Sequence, residues 1–119
     1  MPITTTCGSP DRATEFAYCG TVDEGITLIF RSGDVSIGAS FLSAIRNEYQ
    51  GRRVAGGFNM NNPPADGFGA WVQTNSRTLN DGQVLTPRHA SFIAAILRDA
   101  GWLNCQLDGL SVMLNFIPG

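Results

Sequence analysis

Apolar and polar residues alternate in two runs near the start of the chain. The runs are ATEFAYCGTV, residues 13–22, and ITLIFRSG, residues 26–33, and the residues DEG separate them. In the second run, Ile26, Leu28 and Phe30 occupy every other position, which is the period of a β-strand with one buried face. The glycine between the runs can take the positive φ that a short hairpin loop requires. The pattern therefore predicts an antiparallel hairpin.

A four-residue period replaces this alternation in SIGASFLSAIRNEYQG, residues 36–51. One face of the corresponding helix would carry Ile37, Phe41, Ile45 and Tyr49. Asp34 or Ser36 can cap its first turn, and Gly51 can end it. The first helix is predicted here.

The second predicted helix has the clearest boundaries in the chain. Thr86 is a good N-cap residue, Pro87 suits the first helical position, and Gly101 suits the position after the last turn. The apolar positions between them share one helical face and are Phe92, Ile93, Ile96, Leu97 and Ala100. The segment from Thr86 to Gly101 is therefore predicted to form a capped helix.

Two further strands are predicted on either side of a loop rich in asparagine and proline. The first covers RRVAGGFNM, residues 52–60, and the second covers FGAWVQTN, residues 68–75. Between them, NNPPADG at residues 61–67 combines consecutive prolines, which favour an extended form, with an Asp-Gly turn. The loop is consequently predicted to be longer and stiffer than a hairpin needs. Residues 76–85 are predicted to be a connection.

The C-terminal segment predicts a second hairpin, with strands at residues 103–107 and 110–116 joined by Asp108 and Gly109. After the first strand, the predicted order is strand, helix, strand, strand, helix, strand. This is the ferredoxin-like βαββαβ core, a two-layer α+β fold with a mostly antiparallel sheet and two helices on one face. An extra N-terminal strand would extend the sheet. The alternative is another α+β topology of the ββαββα type.

The length and composition fit one ordinary domain. The chain has 119 residues, of which 43% are hydrophobic, and this is enough to form a single core. Residues 1–12 lack periodicity and are predicted to form a flexible N-terminal arm. Residues 13–119 are predicted to form one α+β domain.

Charge and hydropathy argue against two classes of partner. Charged residues make up 15% of the chain, its formal net charge is −2, and no window holds a run of like charges. Nucleic-acid binding normally requires a basic stripe, so a nucleic-acid partner is not expected. The chain shows neither a signal-peptide pattern nor the roughly 20 apolar residues of a membrane span. A soluble, cytoplasmic protein without a membrane partner is therefore predicted.

The cysteines predict no disulfide and no metal site. There are three, Cys7, Cys19 and Cys105, at no familiar spacing. An odd number of cysteines in an intracellular chain favours reduced thiols, and Cys19 and Cys105 are predicted to be buried structural residues. Together with the single histidine these thiols match no zinc-binding spacing, so we expect no metal and no cofactor.

The predicted sheet leaves one face uncovered by helices. That face would carry Ile29, Trp71 and Met113, an apolar group of a kind that monomers seldom leave exposed. A second copy of the chain, the N-terminal arm or a flat ligand could cover it. For a small two-layer protein of low surface charge the homodimer ranks first, and the arm ranks second.

The loop beside Trp71 is a further candidate site. Asn59, Asn61, Asn62 and Asp66 offer several hydrogen-bonding groups on a rim that the prolines stiffen. The same residue types are common in surface turns for backbone reasons alone, and this simpler interpretation is favoured.

His89 is the only histidine and the only side chain expected to titrate near neutrality. It falls in the first turn of the second predicted helix, where Arg88 or Arg77 could hold an anionic substrate while His89 acts as general base. A histidine ring that packs beside the N-cap is the simpler interpretation, and it is favoured.

No catalytic or binding motif covers a useful length of the chain, so three hypotheses of function stay open. The first is a self-associating binding protein that takes a small molecule or a protein near the open sheet face. The second is a small enzyme that uses His89 as general base on an anionic substrate. The third is an adaptor that adds a strand to a partner through an unpaired edge at residues 13–22. An origin as a mobile gene-cassette product is also considered, and it implies nothing about mechanism.

Overall fold

Two antiparallel sheets organise the computed structural model, which describes residues 3–7, 14–61, 63–80, 82–109 and 111–118. The first sheet has the order β1 (Ile3–Thr5), β2 (Glu15–Thr21), β3 (Gly25–Phe30) and β4 (Gly33–Ile37). The second has the order β5 (Arg53–Ala55), β7 (Ser111–Phe116) and β6 (Leu103–Asp108). Each strand pair in this described part is antiparallel.

The N-terminal hairpin predicted from the sequence is confirmed as β2 and β3. Ala17 pairs with Ile29 in the antiparallel register. Because side chains alternate across a strand, this register puts Phe16 and Phe30 on the same face of the hairpin as the buried Leu28. The C-terminal hairpin is confirmed in the same way, as β6 and β7.

α1 spans Ala39–Tyr49 and starts later than predicted, because Gly33–Ile37 is a strand. Its N-cap residue is Gly38, so the prediction that Asp34 or Ser36 caps the helix is wrong. The later positions of the predicted apolar face are buried in α1 as expected: Phe41, Ile45 and Tyr49. Five residues of alternating pattern are too few to separate a short edge strand from the start of a helix.

α2 spans Phe68–Leu79, where the sequence predicts a strand and then a connection, and that prediction is wrong. Phe68, Val72 and Ser76 are buried, which is the four-residue spacing of a helix that faces a core. The apolar residues at 68, 70 and 72 fit a two-residue period equally well. A segment this short cannot separate the two periods.

α3 spans Pro87–Asp99 and confirms the second predicted helix, with Thr86 as its N-cap. It is buried on most sides, since Ala94 and Ala95 are buried in addition to the predicted face, whereas Ala100 is exposed at the C-cap. A helix that is apolar around most of its circumference belongs inside a core. Accordingly, α3 contacts α2, β1 and β6.

The fold is α+β, as predicted, but the ferredoxin-like topology is not observed. That topology has one sheet and two helices, whereas the described strands form two sheets and are accompanied by α1, α2 and α3. The difference follows from α2, which takes the place of a predicted strand. β2 also pairs on both sides, with β1 and β3, so the prediction of an unpaired edge at this strand is wrong.

The cysteines contradict two predictions. Cys7 and Cys105 form a disulfide whose Cα atoms are 6.0 Å apart, although reduced thiols are expected from the sequence. Cys19 is free and exposed, although burial is expected. The sequence could not show the pairing, because the two bonded residues are separated by 98 positions and become neighbours only in the fold.

The segment after the N-terminus is held by side chains as well as by the disulfide. Residues 3–5 form β1, and the Arg98 guanidinium donates hydrogen bonds of 2.9 Å to Thr4 Oγ1 and to the Thr5 carbonyl oxygen. This part of the predicted flexible arm is therefore an integral strand. Residues 1, 2 and 8–12 of that arm lie outside the described residues.

Candidate functional site

The apolar group predicted on an open sheet face is not assembled. Ile29 lies in the first sheet, Met113 lies in the second, and Trp71 lies in α2. The Trp71 ring is half-buried, and its centroid is 5.8 Å from the ring of Phe41 and 5.7 Å from that of Tyr49. Trp71 packs against the core from a helix, so the single sheet face predicted to carry all three residues does not form, and the homodimer stays a prediction.

The loop of asparagines and prolines folds back on its own backbone. The N–H of Gly69 donates to the carbonyl oxygen of Gly56 at 2.8 Å, and Gly57 has a φ of +61°. At the tip, Asn59 Oδ1 accepts from the Asn61 N–H at 2.9 Å, which is an Asx turn. Asn59 thus has the conformational role of the simpler interpretation.

The other predicted members of this loop site are either exposed or outside the described residues. Asn61 and Asp66 are exposed, and Asn62 lies outside the described residues. Their role in binding stays a prediction.

A cleft opens where β2 and β3 meet the first turn of α3. Its volume is about 450 Å³, within the range of small-molecule sites. Three phenylalanine rings form its base, and polar and charged side chains form its rim. These residues define what is called the aromatic cleft: Phe16, Phe30 and Phe92 at the base, with Glu15, Arg31, Arg88 and His89 at the rim.

The base of the aromatic cleft is a set of edge-to-face ring contacts. The Phe92 centroid lies 4.9 Å from that of Phe16 and 5.0 Å from that of Phe30, with interplanar angles of 71° and 61°. Such edge-to-face contacts are favourable between aromatic rings. The His89 ring continues the set, with its centroid 6.3 Å from Phe30. The aromatic surface therefore extends from the core to the rim.

His89 completes the capping box of α3. Its backbone N–H donates to Thr86 Oγ1 at 3.3 Å, and its Nδ1 accepts from the Thr86 N–H at 3.1 Å. A ring nitrogen that accepts carries the lone pair, so the proton of the neutral imidazole is on Nε2. Nε2 has no hydrogen-bond partner among the described residues.

The surroundings of His89 favour its neutral form. Burial, followed by the charge of the neighbouring Arg88, lowers the pKa of His89 below its ordinary value. A general base needs a free lone pair that faces the substrate, but the lone pair on Nδ1 is already used by the N-cap. The geometry therefore makes His89 a donor toward the cleft and does not support the predicted general base.

The charged candidates separate into two groups. Arg88 lines the aromatic cleft together with Arg31 and Glu15, which the sequence did not single out. Arg77 is exposed in the last turn of α2 and is not part of the cleft lining. Among the described residues, the cleft lining therefore contains two guanidinium groups and one carboxylate in addition to His89.

The sequence contained a signal for the cleft residues that were missed. A hairpin centred on the DEG loop sets Phe16 opposite Phe30, because the residue numbers of facing positions have a constant sum in an antiparallel pair. These two phenylalanines lie on the buried face of the hairpin, at the end away from its loop. They form the base of a pocket only if a helix packs over them. That cover comes from α3, whose position no local pattern gives.

A second depression lies at the opposite end of the first sheet. It measures about 460 Å³, and Glu24, Gln83 and Asn80 contribute to its lining. The Asn80 amide is fully used there, because Oδ1 accepts from Gly38 at 2.9 Å and Nδ2 donates to two backbone oxygens at 3.0 and 3.1 Å. The Asn80 side chain therefore has a structural role in this depression.

Within the described residues, no group of three or more His, Cys, Asp and Glu side chains is arranged to hold a metal ion. In the same part of the chain, no helix is both long and apolar enough to cross a bilayer. Comparison with protein families, curated proteins and solved structures finds no match.

Proposed function

We propose that this protein binds a small organic anion with an aromatic or apolar body in the aromatic cleft. The observation that carries the proposal is the meeting of a phenylalanine base with two arginines and a histidine donor at one cavity mouth. Small-molecule sites commonly combine an apolar lining with a few polar groups that orient the ligand.

The two parts of the cleft suit the two parts of such a ligand. A ring inserted against Phe16, Phe30 and Phe92 would gain aromatic contacts and lose exposed apolar surface. The guanidinium groups of Arg31 and Arg88 donate in pairs to a carboxylate or similar head. Glu15 at the same rim repels a second negative charge, which favours a singly charged head.

Binding is proposed in preference to catalysis because of His89. With Nδ1 held by the Thr86 N–H, the ring offers no lone pair to a substrate proton. The predicted homodimer and protein partners are not part of this proposal, because Ile29, Trp71 and Met113 lie in three separate elements.

The first prediction compares three ligands that share a phenylethyl-sized skeleton: phenylacetate, 2-phenylethanol and phenethylamine. Isothermal titration calorimetry should detect phenylacetate binding, weaker binding of the neutral alcohol, and no binding of the amine, because the rim carries two guanidinium groups. Equal binding of all three compounds, or binding of none, would contradict the proposal.

Arg88 and Arg77 supply a matched pair of variants for this titration. Arg88→Gln and Arg77→Gln change the net charge equally, but only Arg88 lines the cleft. Arg88→Gln should weaken phenylacetate binding by about tenfold, the loss expected for one charge-assisted hydrogen bond, and Arg77→Gln should leave it unchanged. Equal losses in both variants would show a long-range charge effect and not a site.

A further inference from the structure

The second residue of the α3 capping box is of an unusual type. Capping boxes pair Ser or Thr at the N-cap with Glu or Gln three residues later, whereas here the later residue is His89. A glutamine oxygen would satisfy the same Thr86 N–H. What the histidine adds is an aromatic ring beside Phe30 and a second nitrogen, Nε2, at the rim of the cleft.

We infer that Thr86 fixes His89 as a permanent hydrogen-bond donor at Nε2, so that the aromatic cleft selects ligands whose head presents an oxygen acceptor. This inference rests on the proposed function and specifies the head group. Thr86 acts here as a positioning residue, because its N–H and its hydroxyl lie 3.1 and 3.2 Å from Nδ1 and leave Nε2 to carry the proton.

The other groups around His89 support the same selection. Arg88 from α3 and Arg31 from the turn after β3 can only donate hydrogen bonds, and Glu15 from β2 is the one carboxylate among the lining residues that the structure describes. A ligand head that brings donors, such as an ammonium group, would face Nε2–H and two guanidinium groups. A carboxylate or sulfonate head meets three donors instead.

Locking the ring also fixes how binding depends on pH. Protonation of His89 would have to displace the Thr86 N–H from Nδ1 and add a positive charge between Arg31 and Arg88. Burial and Arg88 accordingly hold the pKa of His89 below its ordinary value, so the ring takes up its second proton at a lower pH than an ordinary histidine does. An unlocked histidine would gain its charge at the ordinary pKa and strengthen anion binding there.

The direct test is a long-range ¹H–¹⁵N correlation spectrum of the ligand-free protein, in which the single histidine gives one unambiguous set of signals. At pH 8, Nδ1 should show the shift of a lone-pair nitrogen and Nε2 that of a protonated nitrogen, and the imidazolium should form only below the ordinary histidine pKa. A proton on Nδ1, or titration at the ordinary histidine pKa, would overturn the inference without any ligand being present.

The second test adds phenylmethanesulfonate, whose head is ionised at this pH. Its binding at pH 8 should move the Nε2 proton signal and leave Nδ1 unchanged. If it binds but the Nε2 proton does not respond, the inference fails while the proposed function stands. Absence of binding by any aromatic anion overturns the proposed function itself.

Variants at Thr86 separate the two groups that face Nδ1. Thr86→Ser keeps the N–H and the hydroxyl and should keep the Nε2–H tautomer. Thr86→Ala removes the hydroxyl but keeps the backbone N–H that donates to Nδ1, so the proton should stay on Nε2. A folded Thr86→Ala protein with the proton on Nδ1 would show that the Thr86 N–H does not fix the tautomer.

Discussion

Ser76 is a hydroxyl side chain with no exposed surface, at the point where α2 meets the connection to α3. Its Oγ accepts from the Leu85 N–H at 2.8 Å and donates to the Gln73 carbonyl oxygen at 3.1 Å. Asn80 has a similar position, since it is 2% exposed and bonds Gly38, the N-cap of α1. The buried side chains of Ser76 and Asn80 thus bond backbone groups in the connection before α3 and at the N-cap of α1. No sequence motif indicates either contact.

Replacing Ser76 by Ala should leave the buried Leu85 N–H without its acceptor. The expected cost is about 1–3 kcal/mol in the free energy of unfolding, the penalty for one unsatisfied buried group. Urea denaturation followed by circular dichroism measures it. The control is Ser91→Ala, whose hydroxyl bonds its own helix at Arg88 and whose loss should cost within about 0.5 kcal/mol. Similar losses in both variants would contradict this account of Ser76.

His89 shows what residue-level prediction could and could not reach. The sequence placed it beside an N-cap and favoured ring packing there, and the structure has the ring in the capping box. The tautomer depends on a contact to the backbone N–H of Thr86, which no residue pattern encodes. The predicted position of the ring beside the N-cap is confirmed, whereas its predicted role as general base finds no support in the hydrogen bond at Nδ1.

At the scale of elements, α2 depends on a close approach between two backbone segments. A Cβ on Gly69 would overlap the Gly57 carbonyl oxygen and would lie 3.0 Å from the Pro87 Cβ. Gly69 is therefore required where the loop of asparagines and prolines returns to the first turn of α2, at the hydrogen bond from the Gly69 N–H to the Gly56 carbonyl oxygen. The stiffness predicted for this loop from its prolines stays a prediction.

Gly69→Ala should accordingly destabilise the protein although alanine favours helices. Overpacking against a fixed carbonyl group costs about 1–3 kcal/mol, which exceeds the gain in helix propensity. The exposed Thr74 in the same helix supplies the control, since Thr74→Ala should change stability by no more than about 0.5 kcal/mol. Thermal unfolding of both variants compares them, and a Gly69→Ala protein as stable as the wild type would refute the close approach.

The predicted strands and helices are confirmed where a local sequence pattern has a single structural interpretation. The DEG loop and the Thr86-Pro87 start each have one structural interpretation, and β2, β3 and α3 follow them. The segment FGAWVQTN carries residues that favour strands at positions that also fit a helix, and its helical form is set by burial of Phe68 and Val72 between neighbours. Tertiary packing therefore determines that Phe68–Leu79 is a helix, and the topology differs from the predicted one as a result.

At the scale of the whole molecule, the Cys7–Cys105 disulfide joins the segment after β1 to β6 in the other sheet. It closes a loop with a separation of 98 residues, so it restricts the unfolded chain strongly. Disulfides persist in oxidising compartments. The cytoplasmic location predicted from the sequence led to the expectation of reduced cysteines, and the disulfide does not agree with that expectation.

Reduction should therefore lower the stability of the whole domain by about 2–5 kcal/mol in the free energy of unfolding. Thermal unfolding with and without a reductant measures the change, and Cys19→Ser is the control, since this exposed thiol is not bonded. A thiol assay on the unfolded, unreduced protein should find one free thiol among the three cysteines. Three free thiols would rule out the bond.

The most direct test of the proposed function is to map where an aromatic anion binds. Phenylacetate titrated into ¹⁵N-labelled protein should shift the backbone amide signals of Glu15, Phe16, Arg31 and His89, which surround the cleft from both sheet and helix. The His89→Glu variant, which keeps a capping-box residue but brings a negative charge to the rim, should abolish these shifts. Shifts centred on Asn59 and Asn61, or no shifts at millimolar phenylacetate, would contradict binding in the aromatic cleft.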